Sequence, residues 1–277
     1  MKILSKFLIL AVGIAVFYLL LLQVNWKSML QIEHNQDRLE KKLGKLVLNQ
    51  LMGMYKVVDG EEFNVTLDSI FLPLLTRNHL STNNYELFLV KSEEINAFAL
   101  PDDKIVVTTG LINFLDSSNY LSAILAHEIA HCEKNHVMRA LITNFGLDLL
   151  LSGSGTGEIT NFITGQAYSR RLENEADELA IDYLESAQIN PKSLAQVMEL
   201  FEVFVSPDMD VNWISSHPAA ADRKAYLMEK IKQVKIFSTS YKKPISIMTW
   251  IEFKEKVFNW DAQEDYNGAK EIKIETE

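Results

Sequence analysis

Apolar residues recur at helical spacing in several separate segments of the chain, and this pattern predicts a mainly helical protein. The periodic positions are Leu121, Ile124, Leu125 and Ile129 in one segment and Leu172, Ala176, Leu179, Ala180 and Tyr183 in another. Asn190-Pro191 is typical of a helix start, and the helix that follows is expected to run to Val205. Thr249 with Glu252 predicts a capping box for a late amphipathic helix that docks on the rest of the protein.

Three short segments have the apolar character of strands and predict a small sheet. They are Leu87 to Val90, Ile95 to Leu100 and Lys104 to Thr109. Pro101-Asp102-Asp103 is typical of a turn and predicts a direct connection between the last two strands. The expected fold class is therefore α+β and mainly helical, with one small sheet.

A strongly apolar run extends from Phe7 to Leu22 and follows Lys2 and Lys6. Extended from Ile3 to Val24, it has about the 20 residues that a bilayer-spanning helix requires. Cleavage by a signal peptidase is not expected because no pair of small residues follows, whereas Trp26 suits a membrane interface. The sequence predicts a single N-terminal transmembrane helix that is retained as an anchor.

Basic residues flank this run on both sides and give opposite indications of its orientation. Lys2 and Lys6 favour a cytoplasmic N-terminus, as in an export signal, whereas Lys27, Arg38, Lys41 and Lys42 favour the reverse. We expect a single-pass protein of the cell membrane whose following domain is extracytoplasmic, in the periplasm. A domain that faces the cytoplasm is the alternative.

The segment His127-Glu128-Ile129-Ala130-His131 places two imidazoles four residues apart with a carboxylate beside the first. Residues i and i+4 share a helical face, so both rings can reach one ion while Glu128 leans toward the ion's open position. The alternative is a chance spacing in an ordinary amphipathic helix. Two imidazoles without partners are costly in a core, so the spacing favours a zinc site with its own general base.

A catalytic zinc usually has a third protein ligand, and a second helical segment offers one. Glu173 and Asp177 share a face of that segment, one turn apart, beside its apolar stripe. Glu173 is then the expected third ligand, and Asp177 is expected to accept a hydrogen bond from the distal nitrogen of a ligating histidine. The alternative is a solvated acidic face, such as Glu175, Glu178 and Asp182 form.

Charge and cysteine content exclude two other classes of protein. A formal net charge of −10 argues against a nucleic-acid partner. Cys132 is the single cysteine, so an internal disulfide is impossible. We interpret Cys132 as a packing residue, because it points about 100° away from His131 on a helix.

Several motifs in one order resemble the zinc metallopeptidase family that includes HtpX, the CAAX prenyl endopeptidases, the mitochondrial Oma-type peptidases and the periplasmic BepA-type proteases. The resemblance extends from about Asn96 to Arg223. It is carried by Asn96-Ala97-Phe98-Ala99, Pro101, Gly110-Leu111-Ile112, the zinc helix extended to His136, Ser169-Arg170, Glu173 to Asp177, His217-Pro218 and Arg223. The family often has glycines after the proline of the hairpin, where this chain has Asp102 and Asp103.

The resemblance implies a zincin-like catalytic domain with one zinc ion per subunit. It implies zinc ligation by His127, His131 and Glu173, with Glu128 as the general base and Asp177 behind the ligands. It places His217 and Arg223 near the metal and implies that the strand edge Asn96, Ala97, Phe98 and Ala99 binds the substrate. An ordinary small sheet with a covered edge is the alternative for that strand.

Three further residues around the motif have separate interpretations. His217 or Arg223 is the best candidate for the donor that stabilises the oxyanion. We also hypothesise that His217 swings onto the open zinc position and holds the enzyme latent; the alternative is a loop histidine without a partner. His136 lies about 140° around a continuous helix from His131 and is interpreted as structural.

The expected domain organisation has four parts. Residues 1–26 form the membrane anchor, 27–80 a helical N-terminal region, 81–235 the metallopeptidase catalytic domain and 236–277 a C-terminal helical extension. An apolar stripe within residues 28–47 predicts either packing on the chain's own domain or self-association of two anchored chains. Its members are Met29, Ile32, Leu39, Leu43 and Leu46.

The sequence as a whole predicts a membrane-anchored zinc metalloendopeptidase that hydrolyses peptide bonds, with protein quality control as its expected setting. The expected substrates are peptides and unfolded or misfolded proteins. One alternative is a catalytically silent relative that keeps zinc and acts as a binding or chaperone-like module. The other is a metal-dependent hydrolase of non-peptide substrates, such as lipid-linked or small amide compounds.

Overall fold

A computed structural model describes residues 32–152, 155–165, 168–204, 213, 216–217, 220–233 and 240–260. The predicted membrane anchor, residues 1–26, lies outside these residues. Among the helices within the described ranges, none is both long enough and apolar enough to cross a bilayer.

The described residues are mainly helical, as the hydrophobic pattern predicts, and include a small sheet. The helices are α1 (Ile32–Met54), α2 (Glu61–Thr76), α3 (Thr109–Phe114), α4 (Ser118–Glu133), α5 (His136–Ser152), α6 (Thr156–Gly165), α7 (Arg170–Ser186), α8 (Lys192–Phe204), α9 (Ala220–Gln233) and α10 (247–260). The strands are β1 (Glu86–Val90), β2 (Ala97–Leu100) and β3 (Lys104–Thr108).

The sheet has the order β1-β3-β2, so β2 is an edge strand. β1 pairs with β3 in parallel, and β2 pairs with β3 in antiparallel orientation with Phe98 opposite Val106. The predicted turn between β2 and β3 is present, with Asp102 at φ 66° and Asp103 at φ 53°. Aspartate tolerates this left-handed region better than most residues, which explains how it replaces the family's usual glycines.

Helix α4 carries the histidine motif through the centre of the core. Its side chains are buried from Leu121 to Cys132, and it packs against α7 and β2. Ser117 caps its first turn, since the Ser117 hydroxyl accepts a hydrogen bond from the backbone N–H of Asn119. These contacts fix both the direction and the rotation of the helix that carries the histidines.

Helix α4 ends at Glu133, and the prediction of a continuous zinc helix to His136 is therefore wrong. Lys134 has φ −88° and ψ 1°, outside the helical region, and Asn135 has φ 54°. Asn135 is in the left-handed region, which reverses the chain and starts α5 at His136. The angle of 140° between His136 and His131 does not apply across this break.

The N-terminal and C-terminal helices of the described part both pack on the core. Leu39 and Leu43 of α1 are buried in the chain's own interior, which supports packing rather than self-association for the predicted stripe. Trp250, Phe253 and Val257 of α10 are buried, so the predicted late helix docks as expected. Its first turn is capped by Ser246 rather than by the predicted Thr249, because the Ser246 hydroxyl accepts a hydrogen bond from the Thr249 N–H.

A polar cavity of about 520 Å³ lies between α1, the turn after β2 and the end of α4. We call it the acidic cavity after the carboxylates that line it, which are Asp37, Glu40, Glu86, Asp102, Asp103 and Glu133. Helix α1 approaches the turn closely at Gly44, where a Cβ atom would lie 2.5 Å from the carbonyl oxygen of Pro101. The position therefore requires glycine because of space.

Candidate metal centre

Four buried side chains meet at one point between α4, α7 and the segment that carries His217. Their potential ligand atoms all lie within 4.8 Å of one another, and the residues are His127, His131, Glu173 and His217. Nε2 of His127 lies 3.1 Å from Nε2 of His131 and 3.2 Å from Nδ1 of His217. The structure thus brings together the three predicted ligands and adds His217 to them.

The spacing of these atoms fits a tetrahedral zinc site. Zinc bonds of about 2.0–2.1 Å to nitrogen and oxygen place the donor atoms of a tetrahedron about 3.3 Å apart. Carboxylate oxygens of Glu173 lie 3.4 Å from Nε2 of His127 and 3.6 Å from Nε2 of His131. Nδ1 of His217 lies 3.1 Å from Oε1 of Glu173. Three imidazoles and one carboxylate at these distances are a donor set that zinc prefers.

Asp177 orients the first histidine, in the place expected for it. Its Oδ1 lies 3.1 Å from Nδ1 of His127, so the opposite ring nitrogen faces the donor set. Burial alone would lower the pKa of His127, but the close carboxylates of Asp177 and Glu173 raise that pKa to about 9. The carboxylates therefore stabilise positive charge where a cation would bind.

Arg223 of α9 neutralises the two carboxylates of α7. Its Nε and Nη2 atoms donate to both oxygens of Asp177 at 2.9 and 2.6 Å, and its Nη1 lies 2.7 Å from Oε2 of Glu173. Burial opposes ionisation of both acids. The neighbouring histidines and then Arg223 nevertheless hold the pKa of Glu173 well below its usual value, and Arg223 and then His127 lower the pKa of Asp177. Nη1 additionally donates to the backbone carbonyl of His217.

Glu128 lies beside the four-donor cluster and is buried with it. Its Oε2 accepts a hydrogen bond of 3.1 Å from the backbone N–H of Ala99 on β2. Its Oε1 accepts one of 3.2 Å from the indole N–H of Trp213 and lies 3.4 Å from Nε2 of His217. Glu128 therefore connects the metal centre to the edge of the sheet.

The predicted substrate edge lies against α4, and its side chains are buried. Ala97, Phe98, Ala99 and Leu100 are each at most 5 % exposed. Asn96 is also buried, and within the described ranges neither atom of its carboxamide has a hydrogen-bond partner. The backbone N–H of Trp213 donates to the carbonyl of Ile95, next to this edge.

The sequence assigns no role to two residues of the site, Trp213 and Tyr168, and indicates only a structural role for His136. Trp213 contacts Glu128 but belongs to no recognisable motif. The ring of Tyr168 packs 4.2 Å from the ring of His131, and its position directly before the Ser169-Arg170 motif is the only sequence signal for it. His136 lies against His131, and the assumption of a continuous helix concealed this contact.

Comparison with known proteins assigns the chain to a family. Residues 62–231 match the model of Peptidase family M48. The chain belongs to peptidase family M48. The matched residues include the four donors, Glu128, Asp177 and Arg223, so the whole metal centre lies inside the M48 region.

Curated M48 relatives of this chain come from mitochondria and from bacteria. The mitochondrial metalloendopeptidase OMA1 of Bos taurus is 30% identical over 190 residues, which cover 60% of this chain and 36% of that protein. The beta-barrel assembly-enhancing protease of Escherichia coli K12 is 24% identical over 179 residues, covering 58% of this chain and 37% of that protein. The metalloprotease LoiP of the same bacterium is 26% identical over 161 residues, covering 53% of this chain and 62% of LoiP. The matches thus span about a third to three fifths of these relatives.

Proposed function

We propose that this M48 protein is a zinc-dependent metalloendopeptidase that hydrolyses peptide bonds in proteins. The observation that carries the proposal is the position of Glu128, a buried carboxylate directly beside a four-donor cluster with zinc-like spacing. A purely structural zinc site has no use for such a base. The names of the relatives, all metalloendopeptidases or proteases, support the same activity.

In this mechanism His127, His131 and Glu173 would hold one zinc ion per subunit. When bound, zinc acts as a Lewis acid that lowers the pKa of water and polarises a carbonyl group. Glu128 takes a proton from the attacking water and returns it to the leaving amine. Asp177 fixes the tautomer of His127, while Arg223 keeps Glu173 and Asp177 ionised and in place. Because the donors of Arg223 point at these acids, we assign Arg223 a positioning role rather than contact with the oxyanion.

The substrate is proposed to add as an extended strand to the edge of β2. Main-chain hydrogen bonds would select unfolded or extended segments with little dependence on sequence. The carboxamide of Asn96 is the proposed partner for the substrate backbone, because it is buried without a hydrogen-bond partner among the described residues. The backbone N–H of Ala99 would become a second donor only when Glu128, which accepts its hydrogen bond in this structure, turns to the water.

The arrangement of His217 and Trp213 supports the hypothesis of a latent state. His217 takes the fourth donor position, which a catalytic zinc site keeps open for water and substrate. Trp213 engages Glu128 through its indole N–H and engages the carbonyl of Ile95 through its backbone. Substrate would have to displace both residues before the reaction begins.

The membrane setting and the role in quality control are further proposals. The apolar run from Phe7 to Leu22 supports an N-terminal anchor, and Lys2 and Lys6 support a catalytic domain on the extracytoplasmic side. Unfolded or misfolded proteins are the natural substrates of an enzyme that recognises extended backbone at such a surface. Protease accessibility of the domain in intact cells and in spheroplasts would measure its sidedness.

A catalytically silent zinc protein is the second candidate, and the closed set of four protein donors favours it. Two measurements on the full-length protein separate the candidates: the zinc content, and the cleavage of unfolded casein. We expect about one zinc per chain, and a decrease in cleavage of about 10²–10⁴-fold in Glu128→Gln. The matched control Glu178→Gln should cleave like the wild type, since Glu178 lies on the outer face of α7. Bound zinc without hydrolysis by either the wild type or His217→Ala, in which a latent site would be open, would establish the silent protein instead.

The role of His217 has its own test. If His217 closes the site, His217→Ala should bind zinc less tightly but cleave casein faster in the absence of any activator. If His217 instead donates a hydrogen bond to the oxyanion, His217→Ala should cleave casein more slowly than the wild type, both with and without an activator. Unchanged zinc affinity together with unchanged cleavage would exclude both roles.

A further inference from the structure

The second zinc histidine of the cluster has a partner on its far side that the proposed mechanism does not use. Nδ1 of His136 lies 3.0 Å from Nδ1 of His131, within hydrogen-bond distance. Both rings are completely buried, with no exposed surface. The left-handed residue Asn135 causes this contact, because the chain reverses there and places the first residue of α5 against the last turn of α4.

The contact continues from His136 to the surface of α7. Nε2 of His136 lies 3.3 Å from Oε2 of Glu175, and the Glu175 side chain is 37% exposed. Two guanidinium groups flank this carboxylate, with Nε of Arg171 at 3.6 Å and Nη1 of Arg139 at 3.8 Å. Glu175 is therefore held in place beside His136 and not on the freely solvated face that the sequence indicated.

Hydrogen-bond direction along this chain of groups follows from the orientation of His131. Nε2 of His131 faces the donor cluster, so Nδ1 carries the proton when Nε2 binds a metal ion. That N–H can donate only if Nδ1 of His136 accepts, which leaves the proton of His136 on Nε2. The Nε2–H group of His136 then donates to Glu175. One consistent set of tautomers satisfies every group.

We propose that His136 and Glu175 are positioning residues that orient His131 for zinc, as Asp177 orients His127. This inference rests on the proposed zinc function. The packing of Tyr168 on the other side of the His131 ring restricts the ring further. The two histidine ligands would thus be fixed by different means: His127 by direct contact with a buried carboxylate, and His131 through a second imidazole that reaches a partly exposed one.

A purely structural role for His136 predicts a different result from a positioning role. Removal of a buried imidazole that only packs would reduce stability and leave the zinc affinity of the folded protein unchanged. Removal of a positioning partner typically weakens metal binding about 10–100-fold. Glu175 sharpens the test, since its partly exposed side chain can be replaced with little risk to folding.

The test measures zinc affinity by chelator competition in the full-length, detergent-solubilised protein. We expect His136→Ala to bind zinc about 10–100-fold less tightly and Glu175→Ala to show a smaller loss in the same direction. His136→Gln, whose carboxamide can still accept a hydrogen bond, should recover part of the affinity. The matched control is Glu178→Ala, which removes a similarly exposed carboxylate of α7 that pairs with Lys230 instead; it should bind zinc like the wild type.

Two further readouts separate positioning from packing. The double variant His136→Ala/Glu175→Ala should lose no more affinity than His136→Ala alone, because both act through one chain of hydrogen bonds. The visible absorption of the cobalt(II)-substituted protein should change in His136→Ala and Glu175→Ala but not in Glu178→Ala, since it reports the geometry of the ligands.

The possible outcomes are distinct. Folded variants of His136 and Glu175 that bind zinc and absorb like the wild type would overturn the positioning role and leave the proposed protease intact. Independent, additive losses in the double variant would also overturn it. A wild-type protein that binds no zinc would overturn the proposed function and this inference together.

Discussion

The metal centre and the acidic cavity are both rich in carboxylates, but they differ in the charges that face them. In the metal centre, Arg223 and three imidazoles surround the acids, and the pKa values of Glu173 and Asp177 are lowered despite complete burial. In the cavity, burial and neighbouring acids raise the pKa of Glu40, and they raise that of Asp103 to about 6. In the metal centre, pairing with positive charge compensates for the burial of the carboxylates. In the acidic cavity it does not, and ionisation of the buried carboxylates reduces the stability of the protein.

The metal centre also illustrates what a buried ionic network requires. Each of its acids has a partner that cannot be removed without leaving an uncompensated charge in the core. The acids of the cavity have water on one side and can simply take up a proton. The first region should therefore respond strongly to substitution and the second mainly to pH.

The largest expected effect comes from Arg223→Gln. This change leaves Asp177 and Glu173 buried next to each other without the guanidinium that contacts both, and it should reduce the free energy of unfolding by about 3–5 kcal/mol. Urea denaturation of the zinc-free protein would measure it. In the control Lys230→Gln, which breaks an ion pair on the surface, the denaturation midpoint should stay near that of the wild type. Equal midpoints for Arg223→Gln and the wild type would contradict the account of the metal centre.

A smaller effect is expected from Gly44→Ala at the border of the acidic cavity. The new methyl group would lie 2.5 Å from the Pro101 carbonyl oxygen and 2.6 Å from Cβ of Asp102, so α1 has to move away from the turn. We expect a loss of about 1–3 kcal/mol by thermal or urea unfolding. The matched control is Gly53→Ala in the same helix, where no atom lies within 4 Å of the new methyl group. This control should be neutral or slightly stabilising, because alanine favours a helix more than glycine does.

The smallest effect concerns the pH response of the cavity, through Asp103→Asn. The groups that face Asp103 are Glu40 of α1, Glu133 of α4 and its neighbours Asp102 and Lys104. Since its folded-state pKa of about 6 lies above the ordinary 3.8, the folded chain keeps a proton there that the unfolded chain has released. Stability from this residue is present at about pH 4 and is lost as the pH rises through 6.

Asparagine has no such charge and also tolerates the left-handed backbone at this position. We therefore expect Asp103→Asn to be more stable than the wild type by about 1 kcal/mol at pH 7, a value reduced for solvent screening. The difference should shrink as the pH falls from 6 and vanish below about pH 4, where the carboxyl is protonated in both the folded and the unfolded chain. Unfolding measurements at pH 7 and below about pH 4 would give the difference in stability, with the exposed Asp68→Asn of α2 as the control. A gain of the same size at both pH values would contradict the charge-based explanation.

The sequence predicted those parts of the molecule that depend on local pattern. Helical spacing was sufficient to predict that Glu173 and Asp177 of α7 meet the two histidines of α4. The two residues of each pair lie one turn apart on a helix face that has to be buried. The strands and the turn at Asp102 and Asp103 followed from apolar runs and turn residues. These features need only the geometry of one element at a time.

The remaining features depend on where the chain departs from a regular element. Asn135 takes a left-handed conformation that no rule from sequence alone required, and the contact between His136 and His131 depends on it. Trp213 reaches Glu128 through the packing of a separate segment, so its spacing in the sequence carries no information. The role of Arg223 depends on which of several acceptors its guanidinium meets, and only the folded arrangement decides that.

The connection between α4 and α5 contains only Lys134 and Asn135. Its length determines whether His136 lies against His131. One residue inserted there would change the reversal of the chain between the two helices and carry His136 away from its contact with His131. The motif His127 to His131 would be unaltered in such a chain, and a search for the motif would not register the difference. Insertions and deletions at these two positions would therefore change the metal affinity of related sequences without changing any ligand.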